Sequence, residues 1–265
     1  MTVQANPRPS TTLLSADDPP PARTINPDGQ SPFLLTADHA GKAIPAALGS
    51  LGIGENELSR HIGWDIGVGP LGELLARALD AVFIRQSYSR LVIDCNRGLE
   101  APDLIPAVSD GTPVPGNQAI TDADRAARLE AIHEPYQQSI AAELGRRAAI
   151  GQPTVVVSLH SFTPALLSRD GERPWQIGVL HDRGDTRFAL RLLDVLHQAG
   201  DLVVGDNEPY QMKGTGHTLP RHVYDPWLPY AELEIRQDLL LTADDQEEWS
   251  RRLSGALMEA MSSSG

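Results

Sequence analysis

The sequence predicts an α/β protein, a single domain built on a mainly parallel, mixed central sheet with helices on both faces. Three observations carry that expectation. Apolar strand-like runs alternate along the chain with stretches of helical periodicity, the order that builds a parallel sheet covered on both sides. The run Thr154-Val-Val-Val-Ser-Leu-His160, bracketed by Pro153 and Pro164, is nearly continuous in β-branched residues rather than alternating with polar ones, which is how a strand buried on both faces reads. Polar and ionisable residues gather at the ends of the predicted strands: Asp38, His39, Asp94, Asn96, Arg97, His160, Ser161, Glu208, Glu232 and Glu234. In open α/β sheets, ligands bind in the crevice outside the carboxyl ends of the strands.

The elements follow in order. Residues 1–30 hold Pro19-Pro20-Pro21 among Ser, Thr, Asp and Asn with almost no apolar periodicity, and are expected to be a flexible leader outside the domain, which then spans 31–265. Pro32-Phe-Leu-Leu-Thr-Ala-Asp38-His39 is the first strand. From Gly54 to Asp80 the spacing of Leu58, Ile62, Ile66, Leu71, Leu74, Leu75 and Leu79 predicts one helix, with a kink near Gly69-Pro70. Ala81–Gln86 is a strand that leads through Ser89–Asp94 to Asn96-Arg97. Residues 98–120, rich in Pro and Gly and without periodicity, suit a lid or specificity loop. Thr121 with Asp124 three residues on opens a long helix whose apolar stripe is Leu129, Ile132, Tyr136, Ile140 and Leu144, and Gly151 and Pro153 close it. Trp175–Leu180, Leu202–Val204 and Tyr230–Arg236 are strands. Asp185–Ala199 and Ala243 to about Met261 are helices, and 211–230 reads as irregular.

Composition excludes several function classes. With 22 basic and 35 acidic residues the formal charge is −13, and the basic residues form no run, so nucleic acid is not an expected partner. No stretch approaches the roughly 20 apolar residues of a membrane span, and the amino terminus lacks the basic-then-apolar order of a signal peptide, so a cytoplasmic protein is expected. The one cysteine, Cys95, reads as a packed small residue rather than a nucleophile, because nothing beside it in sequence would lower its pKa.

Two histidines ending two strands, with acids nearby, suit a catalytic zinc site, which takes three His or carboxylate ligands and leaves one position open. His39 and His160 are the nitrogen ligands. The third ligand should be a carboxylate near one of them. Asp65 is the choice, with His61 on the same helical face as the alternative. Glu232 and Glu234 are two apart on a strand and share a face with Arg236, so one can act as base toward water activated by the metal; the bland alternative is an exposed sheet edge. Arg97 offers a guanidinium suited to a substrate carboxylate, with Asn96 beside it, unless Arg97 serves only in an ion pair with Asp94 or another acid.

The ordered set Asp38-His39-Ala40, Gly63-Trp64-Asp65, Ser89-Arg90-Leu91-Val92-Ile93-Asp94-Cys95-Asn96-Arg97, Leu159-His160-Ser161-Phe162, Gly205–Tyr210 and Glu232–Leu239 resembles the N-formylglutamate amidohydrolase family, over about residues 31–245. The resemblance implies a fold like that of zinc carboxypeptidases and aspartoacylase-type deacylases. It further implies hydrolysis of N-formyl-L-glutamate to formate and glutamate in histidine degradation. It assigns zinc to His39 and His160, the base to Glu234, and the substrate carboxylate to Arg97 with Asn96. Arg90 and Ser161 join the substrate-binding set, and His222 is the candidate to polarise the scissile carbonyl. The alternatives are a carboxypeptidase or amidase acting on peptide-like substrates, and a metal-free protein that binds a carboxylate at Arg97.

Overall fold

The computed structural model describes residues 12–212 and 216–262. The strands are β1 (Ala22–Ile25), β2 (Phe33–Ala37), β3 (Val82–Gln86), β4 (Val108–Ser109), β5 (Thr112–Pro113), β6 (Val155–Phe162), β7 (Ile177–Leu180), β8 (Val204–Asp206) and β9 (Tyr230–Arg236). The helices are α1 (Glu55–Leu58), α2 (Val68–Leu79), α3 (Asp122–Arg128), α4 (Glu134–Ala149), α5 (Arg187–Ala199), α6 (Thr218–Val223) and α7 (Ala243–Ser262). Seven strands form one mixed sheet in the order β1-β3-β2-β6-β9-β7-β8, and β4 and β5 make a separate hairpin. The run β3-β2-β6-β9 is parallel, with β1 antiparallel at one end and β7 antiparallel to β9 at the other. The expected fold class is therefore what the chain adopts. Among the described residues no helix is long and apolar enough to cross a membrane.

Each strand sorts its residues between two layers. Phe33, Leu35 and Ala37 of β2, Val155, Val157 and Leu159 of β6 and Ala231, Leu233 and Ile235 of β9 pack against α2, α5 and α7. Alternation then sends Thr36, Ser158, His160, Glu232 and Glu234 to the opposite face, where α4 and α6 lie. There Leu34, Val82 and Ile84 meet Ile132, Tyr136 and Ile140, while Val156 and Tyr230 meet Leu219 and Val223. All eight residues of β6 are buried, as its unbroken apolar run requires.

Four expectations are corrected. Residues 18–25 are not part of a flexible leader, because Ala22–Ile25 adds to the sheet edge beside β3 and the chain before it is pinned. The Tyr88 hydroxyl donates to the carbonyl of Pro19, and Asp18 accepts from the backbone of Ala46 at 3.0 Å. These tertiary bonds anchor a segment whose composition has no core-forming pattern; residues 1–11 of the expected leader lie outside the described residues. The stretch 54–80 is two helices, α1 and α2, separated by turns over 59–67, and Pro70 sits in the first turn of α2, where it needs no helical donor. The long helix from Thr121 does carry the predicted capping box, but a π-helical turn at Leu129–His133 divides it into α3 and α4. Within the expected irregular segment, α6 forms with its first amides held by Asn96, whose Oδ1 accepts from His217 N at 2.8 Å and Thr218 N at 3.1 Å.

Candidate active site

The loop after β2, the carboxyl end of β6 and the turn before α2 converge. Immediately after His39 the chain passes against Ser87, so closely that a Cβ on Gly41 would lie 2.0 Å from the Ser87 carbonyl oxygen. Asp65 is tied to the same place by its amide, which donates to the His39 carbonyl at 2.9 Å. Gly67, at φ +80°, then turns the chain into α2 with its α-carbon against Leu240, a conformation and a space that a side chain would not tolerate. The outcome is a trio, His39, Asp65 and His160, whose ligand atoms all lie within 4.8 Å of one another and whose side chains are buried.

Each histidine is oriented by a carboxylate on its far side. His39 Nε2 donates to Asp94 Oδ1 at 2.7 Å, leaving Nδ1 directed at Asp65 Oδ2, 3.5 Å away, with no hydrogen bond of its own. His160 presents Nδ1 to Asp65 Oδ2 at 2.9 Å, while its Nε2 lies 3.3 Å from Asp38 Oδ2 and 3.1 Å from Ser158 Oγ. Burial opposes charge on both rings, but the surrounding acids win: hydrogen bonds to Asp38 and Asp65 hold His160 well above the usual histidine range, and Asp94 and Asp65 raise His39 against burial and the Arg90 charge. Burial likewise opposes ionisation of Asp65, yet His39 and His160 hold its carboxyl below the usual range. A carboxylate behind each imidazole and two imidazoles around one acid is the arrangement that fixes the tautomers of metal-binding histidines.

Glu232 and Glu234 complete one wall of the chamber. Cα pairing sets Glu234 beside His160 and Glu232 beside Ser158, on an interior strand of the sheet, so the exposed-edge alternative does not hold. Each glutamate is 6% exposed. Burial pushes both carboxyls up, and for Glu234 burial, joined by the Asp65 and Glu232 charges, overcomes the opposing pull of His160 and Arg90 and brings it to about 8. Its Oε2 has no hydrogen-bond partner among the described residues. Arg236, expected on the same face, is not part of the wall and pairs with Asp238 at 2.8 Å.

The chamber has a volume of about 350 Å³ and is bordered by the trio, both glutamates, Arg90, Asn96, Arg97, Ser161 and Tyr210. Arg97 reaches it from the turn after Cys95 while its Nε donates to Asp103 at 2.7 Å. The Asp94 partner imagined for Arg97 belongs instead to Arg90, which donates to it from Nε and Nη2 at 3.1 and 2.7 Å and sits 3.5 Å from Asp65. Arg90 thus holds Asp65 of the trio and Asp94 behind it, while also lining the chamber. Asn96 spends its Oδ1 on α6, which leaves its amide nitrogen to serve the chamber. Ser161 donates its hydroxyl to the Ile66 carbonyl at 2.9 Å and its amide lies 3.3 Å from Asp65, so it too positions the acid.

His61 and His222 fall outside this set. No helix joins His61 to Asp65, and His61 turns to Asp110 at 3.3 Å. His222 lies on α6 behind the wall, donating from Nε2 to Gln137 Oε1 at 2.8 Å, so it does not face a scissile carbonyl. Burial first, and then Arg221, brings it down to about 4. Gln137 in turn donates to Thr218 Oγ1 at 2.9 Å, and Thr218 donates to Asp38 Oδ1 at 2.6 Å. This chain of bonds, which ends on the acid behind His160, escaped the sequence reading because Gln137 and Thr218 carry no motif. Cys95 is buried and its thiol is pushed well above the ordinary value by that burial, in keeping with a packing role.

A model of the N-formylglutamate amidohydrolase family matches residues 31–241. The chain belongs to that family. Among solved structures it is similar to gene product Atu2144 from Agrobacterium tumefaciens, with 34% identity, a TM-score of 0.90, and coverage of 95% of this chain and 98% of that one. It also shares its fold with an N-formylglutamate amidohydrolase from Ralstonia eutropha, at 19% identity and a TM-score of 0.67, over 91% of this chain and 97% of that one. No curated protein sequence gives a significant match. Each of the six stretches that carry the resemblance contributes at least one residue to the chamber wall.

Proposed function

We propose that this member of the N-formylglutamate amidohydrolase family hydrolyses the amide bond of a small N-acyl amino acid with zinc as cofactor, N-formyl-L-glutamate being the first compound to test. The observation that carries the reading is the buried trio of two imidazoles and one carboxylate facing the same chamber as Arg97 and Glu234. The residues fit zinc: His39 Nδ1 is a buried nitrogen with no hydrogen-bond partner, His160 Nδ1 and Asp65 supply the second and third donors, and Asp94 and Asp38 stand behind the rings. Bound there, the metal supplies Lewis acidity toward water and the acyl carbonyl.

The chain's own residues do the rest. Arg97, with the amide of Asn96, binds the substrate carboxylate and so sets the acyl group over the trio. Glu234 takes the proton of the attacking water on its side-chain oxygen and returns it to the nitrogen of the leaving amino acid. Burial of the glutamate limits the access of bulk water to that proton.

Metal content by elemental analysis of wild type and His160→Ala, alongside formate release from N-formyl-L-glutamate, tests the reading. The expected result is about one zinc per chain, lost in the variant, with formate released by wild type. Zinc without formate release moves the search to other N-acyl amino acids and peptide-like amides. A wild-type chain that neither contains nor takes up zinc overturns the mechanism.

A further inference from the structure

The chamber continues past Arg97. A second cavity of about 270 Å³ adjoins it and shares Arg90, Arg97 and Tyr210 with it, but none of the zinc-binding trio and neither glutamate. It therefore leads away from the reacting carbonyl, at the end where the reading above places the carboxylate of the amino acid. On that reading, the group facing it is the amino acid's side chain.

The walls of this compartment include Ile62, Pro106, Val108 and Leu166. Val108, on the β4–β5 hairpin, is 58% exposed, an apolar side chain without a core to enter. Asp110 fixes the walls. At the hairpin turn its Oδ1 accepts from Ser168 N at 2.9 Å and its Oδ2 from Leu167 N at 3.1 Å and Arg60 Nη2 at 3.0 Å, so the hairpin and the loop carrying Leu166 are held together.

The charges around the compartment are matched. Arg90 is paired with Asp94 and Arg97 with Asp103, each at 2.7 Å, and Asp110 is engaged by Arg60 at 3.0 Å. His61 faces Asp110, but burial draws its pKa down, so it adds no lasting positive charge. A side-chain carboxylate entering here meets Asp94, Asp103 and Asp110, while Arg97 is already assigned to the α-carboxylate and Arg90 is held by Asp94 and Asp65. A neutral apolar group instead gains about 25 cal/mol for each Å² removed from water.

We infer that this compartment selects a neutral, largely apolar side chain, so that the substrates include N-acyl derivatives of amino acids such as methionine and phenylalanine. The inference rests on the hydrolytic reading above. The experiment compares kcat/KM for the N-formyl derivatives of glycine, glutamate, methionine and phenylalanine in wild type, Val108→Trp and Leu166→Trp, with thermal stabilisation by N-formyl-L-phenylalanine as a separate readout of binding. In wild type the methionine and phenylalanine compounds should equal or exceed the glutamate compound. Either tryptophan, filling part of the compartment, should cut them by about tenfold or more while leaving N-formylglycine within about twofold. A tenfold preference of wild type for glutamate over both, or equal losses on all four compounds in both variants, overturns the inference. Hydrolysis of none of the four, with stabilisation by N-formyl-L-phenylalanine present in wild type and lost in the variants, overturns the N-formyl form of the hydrolytic reading and keeps the compartment. Absence of both activity and stabilisation overturns both.

Discussion

Replacing Asp94 with asparagine changes one atom and tests how the site is held. Asp94 Oδ1 accepts from His39 Nε2 at 2.7 Å and from the Asn96 amide at 2.9 Å, while Oδ2 accepts from Arg90 Nε at 3.1 Å and Nη2 at 2.7 Å. Asparagine has one acceptor oxygen. With that oxygen toward His39, its NH2 group faces the guanidinium donors of Arg90; turned the other way, it faces His39 and the Asn96 amide. Either orientation sacrifices two bonds and removes the charge that balances Arg90. Truncating one partner of a buried ion pair costs about 3–5 kcal/mol, and the secondary contact of Arg90 with Asp65 at 3.5 Å recovers part of it. The expected loss of unfolding free energy in urea is about 2–4 kcal/mol for the metal-free protein. Because Asp94 fixes which nitrogen of His39 carries the proton, zinc affinity should fall about 10–100-fold in competition with a chelator. Asp103→Asn, which disturbs the exposed partner of Arg97, serves as the control and should leave zinc affinity unchanged. Zinc affinity and stability in Asp94→Asn both equal to wild type would refute the claim that this carboxylate orients a ligand.

Three further outcomes follow from the same structure. Glu234→Gln should retain zinc and lower kcat by about 10²–10⁴-fold, whereas Glu232→Gln, registered beside Ser158 rather than His160, should cost less than about tenfold; the reverse order would assign the base to Glu232. Arg147→Met should cost about 3–5 kcal/mol in urea unfolding with zinc content unchanged, because the buried guanidinium bonds the carbonyls of Ser31, Pro32 and Phe33 and pairs with Glu143; a loss under about 1 kcal/mol would contradict that account. His222→Gln keeps a donor for Gln137 without a titrating ring. The native pKa of His222 is about 4 against 6.5 for an ordinary histidine, so as pH falls the unfolded chain takes the proton first and the native state loses stability between pH 6.5 and about 4. Wild type should therefore lose roughly 3 kcal/mol more than the variant across that window, with no difference in slope above it; parallel curves would show that His222 is not buried as a neutral ring.

The sequence by itself determined the strands and what stands on them. Period and composition are local properties, so the apolar run into His160 and the alternation of Glu232 and Glu234 were legible without any partner, as were the capping box at Thr121 and the two histidines at strand ends. Asp65 was expected within one long helix, and it stands instead in the turn before α2. Asp65 nevertheless reaches His39 and His160, because backbone bonds and Gly67 fold the turn before α2 onto them. What only the tertiary structure decided are relations between distant residues. Arg90, and not Arg97, takes Asp94. Gln137 and Thr218 link α4 and α6 to the acid behind His160. Asp110 pins a hairpin to a loop more than fifty residues away, and Asp18 and Pro19 anchor a segment that composition alone reads as a leader. Such bonds depend on which chain segments the sheet brings together, a property that no window of sequence contains.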